Sequence, residues 1–356
     1  MAAPKKLVIW ALNNTLTDTL GVWAASTSAA LDGLVDMLGL PEKEFFKAVQ
    51  AAPRQLRYGD LGQMLKTLCR DGHMGAETTP YNAVMIFSGF HKRWMAAQKQ
   101  DTVLYDGALQ ALRLIKSSGA AQIIDSDTEI TTIIRRLWLL SHNARLQGKL
   151  QKETDFLALF DQIYCLPVTT DDTSLFDDVP ASFIHEAHKK ITVWRTGNRK
   201  PDAERTHLIL RNFNVPAANV LYVGNTVNDG LTAKASGIDF VWFAGGCDTS
   251  PETIKQARRL APHHNYGIKQ IWKDFRKISL VPDYAVLENL PEIACAFQFA
   301  RGAVFTPDDS NRHKSASDRT DAGRAAPDHY TRWNHPLPTP PRTAPPGSSS
   351  PLPPKP

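Results

Sequence analysis

No two cysteines of this chain stand close enough in sequence to clasp one ion. The four, Cys69, Cys165, Cys247 and Cys295, are isolated, and no CxxC pair occurs. That pattern supports neither a zinc site nor a disulfide framework, and it fits a reducing, cytoplasmic setting. No apolar run reaches the ~18 residues that a membrane span requires. Like charges do not cluster in blocks. The formal net charge is +5, with cations and anions scattered along the chain, so no nucleic-acid partner is indicated. Lys5 and Lys6 precede an apolar stretch, but Asn13 and Asn14 interrupt it early, which excludes a signal peptide. We find no internal repeat.

The chain does have the means to build a large core. It has 356 residues, of which 42% are hydrophobic and 22% charged, the balance of a globular protein. The C-terminal end departs from that balance. Twelve of the 24 prolines lie between Pro307 and Pro356, and such a stretch buries too little apolar surface to offset its ordering entropy. A disordered tail is expected over 301–356, with polyproline character from Pro336. Its Pro338-x-x-Pro341 spacing, followed by Arg342, matches what proline-binding modules dock.

Five apolar runs read as strands: LVIWAL (7–12), AQIID (121–125), ITVWR (191–195), VLYVG (220–224) and DFVWFA (239–244). A sixth is DYAVL (283–287). Between several of them lie stretches with helical apolar spacing, such as ALQALRLIKSSG (108–119) with its glycine stop and AERTHLILRNFNV (203–215). Short buried strands alternating with helices predict an α/β architecture, a Rossmann-like parallel sheet covered on both faces. The stretch after residue 18 reads as helices at 28–40, 42–52, 61–72 and 83–100, an inserted helical domain over 19–103. The core is then 1–18 and 104–300, with a second insertion of mixed character over about 140–190. That insertion carries an acidic run at 170–179, expected to be a solvated loop.

Ligands in such sheets bind outside the carboxyl ends of the strands. Four loops lie there: Ala11-Leu12-Asn13-Asn14-Thr15, Ser126, Lys200-Pro201-Asp202, and Gly224-Asn225-Thr226-Val227-Asn228-Asp229. In this order and strand context the set resembles the haloacid dehalogenase superfamily, mostly phosphohydrolases, over about residues 5–295. The resemblance implies a helical cap between the first two motifs. It also implies an Asp-x-Asp-x-Thr motif on residues 11–15, a phosphate-holding Ser and Lys at Ser126 and Lys200, and an acidic metal-binding motif at Asn225 and Asp229. The family chemistry needs a carboxylate nucleophile, a second carboxylate as general acid and base, and magnesium to orient the phosphate.

The sequence departs from that pattern where the chemistry is done. Ala11 has no nucleophile, Asn13 cannot shuttle a proton, and Asn225 offers a neutral oxygen in place of a charged ligand. Thr15, Ser126, Lys200 and Asp229 keep the family's residue types. A working site gathers four acids around one lysine and needs the cation to offset them, whereas Asp229 and Lys200 already cancel. Weak or absent magnesium binding is therefore expected, with Thr15, Ser126 and Lys200 left to hold an anion. Three readings follow. The first is a pseudoenzyme, a catalytically impaired relative that binds a phosphorylated ligand or a protein partner. The second is a working phosphohydrolase that recruits displaced acids such as Asp125 or Asp127. The third is a scaffold acting through cap and tail. His185 and His188 have i, i+3 spacing but no evident third ligand, and His263 and His264 read as surface residues.

Overall fold

The structure is a computed structural model, and it describes residues 3–52, 61–75, 80–168, 178–194, 199–247, 250–261, 268–286 and 288–300. The expectations for the tail, for most of the acidic run and for His263 and His264 lie outside them.

Seven strands form one sheet: β1 (Leu7–Trp10), β2 (Ala121–Glu129), β3 (Gln162–Leu166), β4 (Ile191–Val193), β5 (Val220–Gly224), β6 (Asp239–Phe243) and β7 (Tyr284–Val286). Their order is β4-β3-β2-β1-β5-β6-β7, and every pairing is parallel. The period-two pleat sends alternate residues to opposite faces. Val8, Trp10, Leu221, Val223, Val241 and Phe243 face one buried cluster. Leu7, Ile9, Val220, Tyr222, Phe240 and Trp242 face another. Helices Ala108–Ser117 and Ile130–Leu146 supply Leu112, Ile115, Ile133 and Leu137 to the first cluster. Helices Ala203–Asn212, Val227–Ala235 and Ile268–Lys277 supply Ile209, Ala233 and Phe275 to the second. Each large apolar side chain among them contributes about 1.5–3 kcal/mol when fully buried. This two-sided coverage is why the strands read as continuous apolar runs.

The stretch 140–190 corrects the sequence reading, because it is no insertion in the sheet. It supplies β3, which lies between β2 and β4, and helices Thr154–Ala158 and Ala181–His188. β3 is hard to read because a five-residue helix precedes it and a polar residue, Gln162, opens it. Gln162 is nevertheless buried, and its side-chain amide donates to Thr192 Oγ1 at 2.6 Å.

Between β1 and β2 the chain forms helices Thr19–Leu38, Glu42–Ala51, Leu61–Arg70 and Pro80–Asp101. Their apolar faces share a cluster of their own, with Leu31, Leu34, Phe45, Phe46, Val49, Leu65, Leu68 and Phe90. The first helix begins nine residues before its expected start. Asp18 caps it, accepting from Gly21 N–H at 2.7 Å. Its opening turns are rich in Ala, Ser and Thr, which hide the apolar period. They are buried because helix Pro80–Asp101 lies alongside and approaches closely at Gly33, where a Cβ would collide with the Arg93 guanidinium. Helix Pro251–Leu260, which follows β6, also packs on this layer. Leu260 enters its cluster, and Arg259 pairs with Asp32 and Glu42 and lies 3.6 Å from the centre of the Phe46 ring. The chain leaves and re-enters the core through a short paired crossing. There Thr17 Oγ1 donates to the Val103 carbonyl at 2.7 Å, and Tyr105 N–H donates to the Leu16 carbonyl at 3.0 Å.

Candidate active site

The carboxyl ends of β1, β2 and β5, with the loop that opens helix Ala203–Asn212, bring all seven anticipated site residues into one region. Six of them fall into two hydrogen-bonded groups. Lys200 Nζ donates to Asp229 Oδ1 at 2.8 Å and to the Asp125 carbonyl at 2.9 Å. Asp229 Oδ2 accepts from Thr226 Oγ1 at 2.7 Å, Thr226 N–H at 3.0 Å and Asn225 N–H at 3.2 Å. Part of this is a capping box at the start of helix Val227–Ala235. Thr15 Oγ1 reaches Asn225 Oδ1 at 3.4 Å. Gly224 makes the fold-back of Asp229 possible, since a Cβ there would lie 2.5 Å from that of Asp229.

The second group centres on Asn13. Its Nδ2 donates to Thr128 Oγ1 at 3.0 Å. Thr128 in turn accepts from Ser126 Oγ at 3.0 Å and donates its own N–H back to that oxygen. Asn13 Oδ1 accepts from Thr19 Oγ1 at 3.3 Å and from the Arg136 guanidinium. Ser126 lies within β2 rather than after it, because the strand runs on to Glu129 with a register irregularity between Asp125 and Glu129. Ala11 places its methyl group at the end of β1, and its N–H donates to the Val223 carbonyl at 2.8 Å. The loop is pressed against the turn after β6, where a Cβ on Gly246 would overlap the Asn14 carbonyl oxygen.

Behind these groups lies a buried charge network. Asp125 and Arg205 are both fully buried and directly paired. Arg205 also pairs with Asp127 and stacks its guanidinium 4.9 Å from the Trp194 ring centre. Asp125 further accepts from Tyr222 OH at 2.9 Å and from Trp194 Nε1 at 3.2 Å, with Lys200 Nζ at 3.8 Å. Burial alone would raise the Asp125 pKa. The Lys200 ammonium, the Arg205 guanidinium and the Tyr222 hydroxyl outweigh it and hold that carboxyl below the ordinary range. Burial likewise opposes the charged forms of Lys200 and Arg205, yet Asp229 and Asp125 hold the first and Asp125 and Asp127 the second above their ordinary values.

A carboxylate with a depressed folded-state pKa contributes stability above its unfolded value and loses it as pH falls through the folded value. The Asp125 contribution is therefore expected to be full at pH 7. The urea midpoint of the parent should drop faster than that of Asp125→Asn below about pH 4, the ordinary aspartate range. Parallel midpoints for the two proteins across roughly pH 7 to 3 would contradict the assignment.

Arg136, Thr128, Arg205, Tyr222 and Trp194 are the site residues that sequence reasoning missed. Asp18, the acid nearest the first loop, serves as a helix cap, and burial raises its pKa. Asp202 caps helix Ala203–Asn212, accepting from Glu204 N–H at 2.8 Å.

Such a sheet order, with four loops meeting at its carboxyl edge, is that of a Rossmann-like α/β protein with a doubly wound parallel sheet. A family model described as haloacid dehalogenase-like hydrolase matches residues 182–243, a minority of the chain that contains Lys200, Asn225 and Asp229. No curated protein sequence matches. Among solved structures the chain is similar to a putative beta-phosphoglucomutase from Thermotoga maritima (14% identity, 82% of this chain and 97% of that one, TM-score 0.47). It is also similar to CbbY from Rhodobacter sphaeroides in complex with phosphate (13% identity, 82% and 96%, TM-score 0.39). A third is 2-haloacid dehalogenase from Pseudomonas syringae pv. Tomato DC3000 (14% identity, 82% and 98%, TM-score 0.41). No helix among the described residues is long and apolar enough to cross a membrane.

Proposed function

We propose that this haloacid dehalogenase-like chain is a pseudoenzyme that binds a ligand bearing a phosphate group without hydrolysing it and without magnesium. The observation that carries this reading is the state of Asp229. Its two oxygens already serve Lys200 and three donors of residues 225–226. Sites for magnesium usually rely on one or two carboxylates that are free to bind it, and the resemblance expects those at positions 11 and 225. Asn225 and Ala11 supply neither charge, so the residues present do not fit the ion. The carboxylate that remains, Asp229, is already neutralised by Lys200.

The competing reading, hydrolysis by displaced acids, finds little support in the geometry. Asp125 is fully buried and saturated by Arg205, Tyr222 and Trp194. Asp127 pairs with Arg205 and accepts from the Lys200 N–H at 3.2 Å. A general base needs a free oxygen within reach of water at phosphorus. The helices between β1 and β2 are then a cap, over 19–103, retained for ligand enclosure or for a protein partner, and a proline-binding module is the partner proposed for the tail.

Melting curves test this reading. Inorganic phosphate at millimolar concentration should raise Tm by the same amount in EDTA and in excess magnesium, because only native-state binding stabilises. Magnesium alone should leave Tm unchanged. A shift that requires magnesium would overturn the metal-free reading. The absence of any phosphate shift would favour the scaffold reading.

A further inference from the structure

We propose that Arg136 is the anion-recognition residue of this site, taking an oxyanion of the ligand, a phosphate, in place of the carboxylate that position 13 lacks. The inference deepens the binding function proposed above and rests on it. Arg136 lies on helix Ile130–Leu146, the element that follows β2, and donates to Asn13 Oδ1. No carboxylate lies within ion-pair distance of it among the described residues.

Its sequence neighbour makes the contrast. Arg135 forks onto both oxygens of Asp178 at 3.4 Å and donates to Gln98 Oε1 at 2.8 Å. Two adjacent arginines therefore have opposite fates, one neutralised by an aspartate and the other facing a neutral amide. Arg136 is half-buried, and a cation partly withdrawn from water without a counter-charge is costly. Burial, with Arg135 alongside, pushes the Arg136 guanidinium down to about 10. It stays protonated at neutral pH, with no counter-charge among the described residues.

The surroundings suit an oxyanion. Ser126 and Thr128 hydroxyls are linked to Asn13 on one side, and Thr19 Oγ1 reaches it on the other. A guanidinium has five N–H donors in a rigid fork, of which the Asn13 contact uses one. Phosphate accepts such a fork bidentately. Lys200, the family's usual phosphate lysine, is tied to Asp229 and the Asp125 carbonyl. Among the described residues, Arg136 is thus the cation of this site left for a ligand to neutralise.

Calorimetric titration of the full chain with inorganic phosphate in EDTA tests the assignment. Arg136→Gln should weaken binding about 10- to 100-fold, the loss expected for a charge-assisted pair. Arg136→Lys, which keeps the charge but not the fork, should fall between. Asn13→Asp supplies an internal carboxylate to the same guanidinium. It should abolish phosphate binding while raising the melting temperature of the free protein, an opposite pair of signs that a damaged fold cannot produce. Unchanged affinity in both Arg136→Gln and Asn13→Asp would overturn the role of Arg136 while leaving ligand binding intact. Absence of binding in the parent would overturn the proposed function together with this inference.

Discussion

Replacing Arg205 by leucine is expected to destabilise the fold by about 3–5 kcal/mol, the range for removing one partner of a buried ion pair. Arg205 and Asp125 are both inaccessible to water. Without the guanidinium, Asp125 keeps Tyr222, Trp194 and the Lys200 charge at 3.8 Å, which cannot replace the direct pair. Asp127, only partly buried, turns to solvent at lower cost. The double variant Arg205→Leu with Asp125→Asn should recover a measurable part of the loss, because the unpaired charge is gone. The coupling between neighbours in one network is on the order of 0.5–3 kcal/mol. Urea denaturation of the parent, the two single variants and the double variant checks this. Additive losses would show that Asp125 and Arg205 are stabilised independently.

The second large effect concerns activity. Ala11→Asp, Asn13→Asp and Asn225→Asp together restore the acids that the family resemblance implies. The triple variant should hydrolyse an aryl phosphate in magnesium at a rate at least about 10²-fold above the parent, since general acid–base catalysis alone contributes about 10²–10⁴-fold and a nucleophile is returned as well. The same changes place three further carboxylates near Asp229. Like charges disfavour one another's ionised forms, so the free variant should melt below the parent and recover when magnesium is added. The carboxylate that Asn13→Asp introduces would pair with Arg136, and phosphate binding would become dependent on the metal. A triple variant that folds, binds magnesium and stays inactive would mean that the site has lost more than its acids.

Much of the fold is legible in the sequence because the sheet is covered on both faces. VLYVG at 220–224 gives β5 residue for residue, and the runs at 7–12 and 239–244 contain β1 and β6. β3 escapes because it is short and opens on the polar Gln162, although tertiary pairing with Thr192 makes that residue a core one. The early turns of helix Thr19–Leu38 escape for a related reason. Their small and hydroxyl-bearing side chains become buried only because another helix lies close. For the site, the motif residues declare which loops converge and which acids are missing. What they cannot declare is the compensation. Arg205 meets Asp125 across 80 positions and Arg136 meets Asn13 across 123, and neither spacing leaves a local signature. An arginine on an amphipathic helix reads the same whether it faces solvent or a buried aspartate.

The most direct test of the central claim is hydrolysis of an aryl phosphate by the parent protein in excess magnesium, with the triple variant measured beside it. The account expects no turnover above the buffer rate from the parent and magnesium-dependent turnover from the variant. Magnesium-dependent turnover by the parent, abolished by Asp127→Asn with the fold retained, would show that a displaced acid does the work and that this chain is an enzyme.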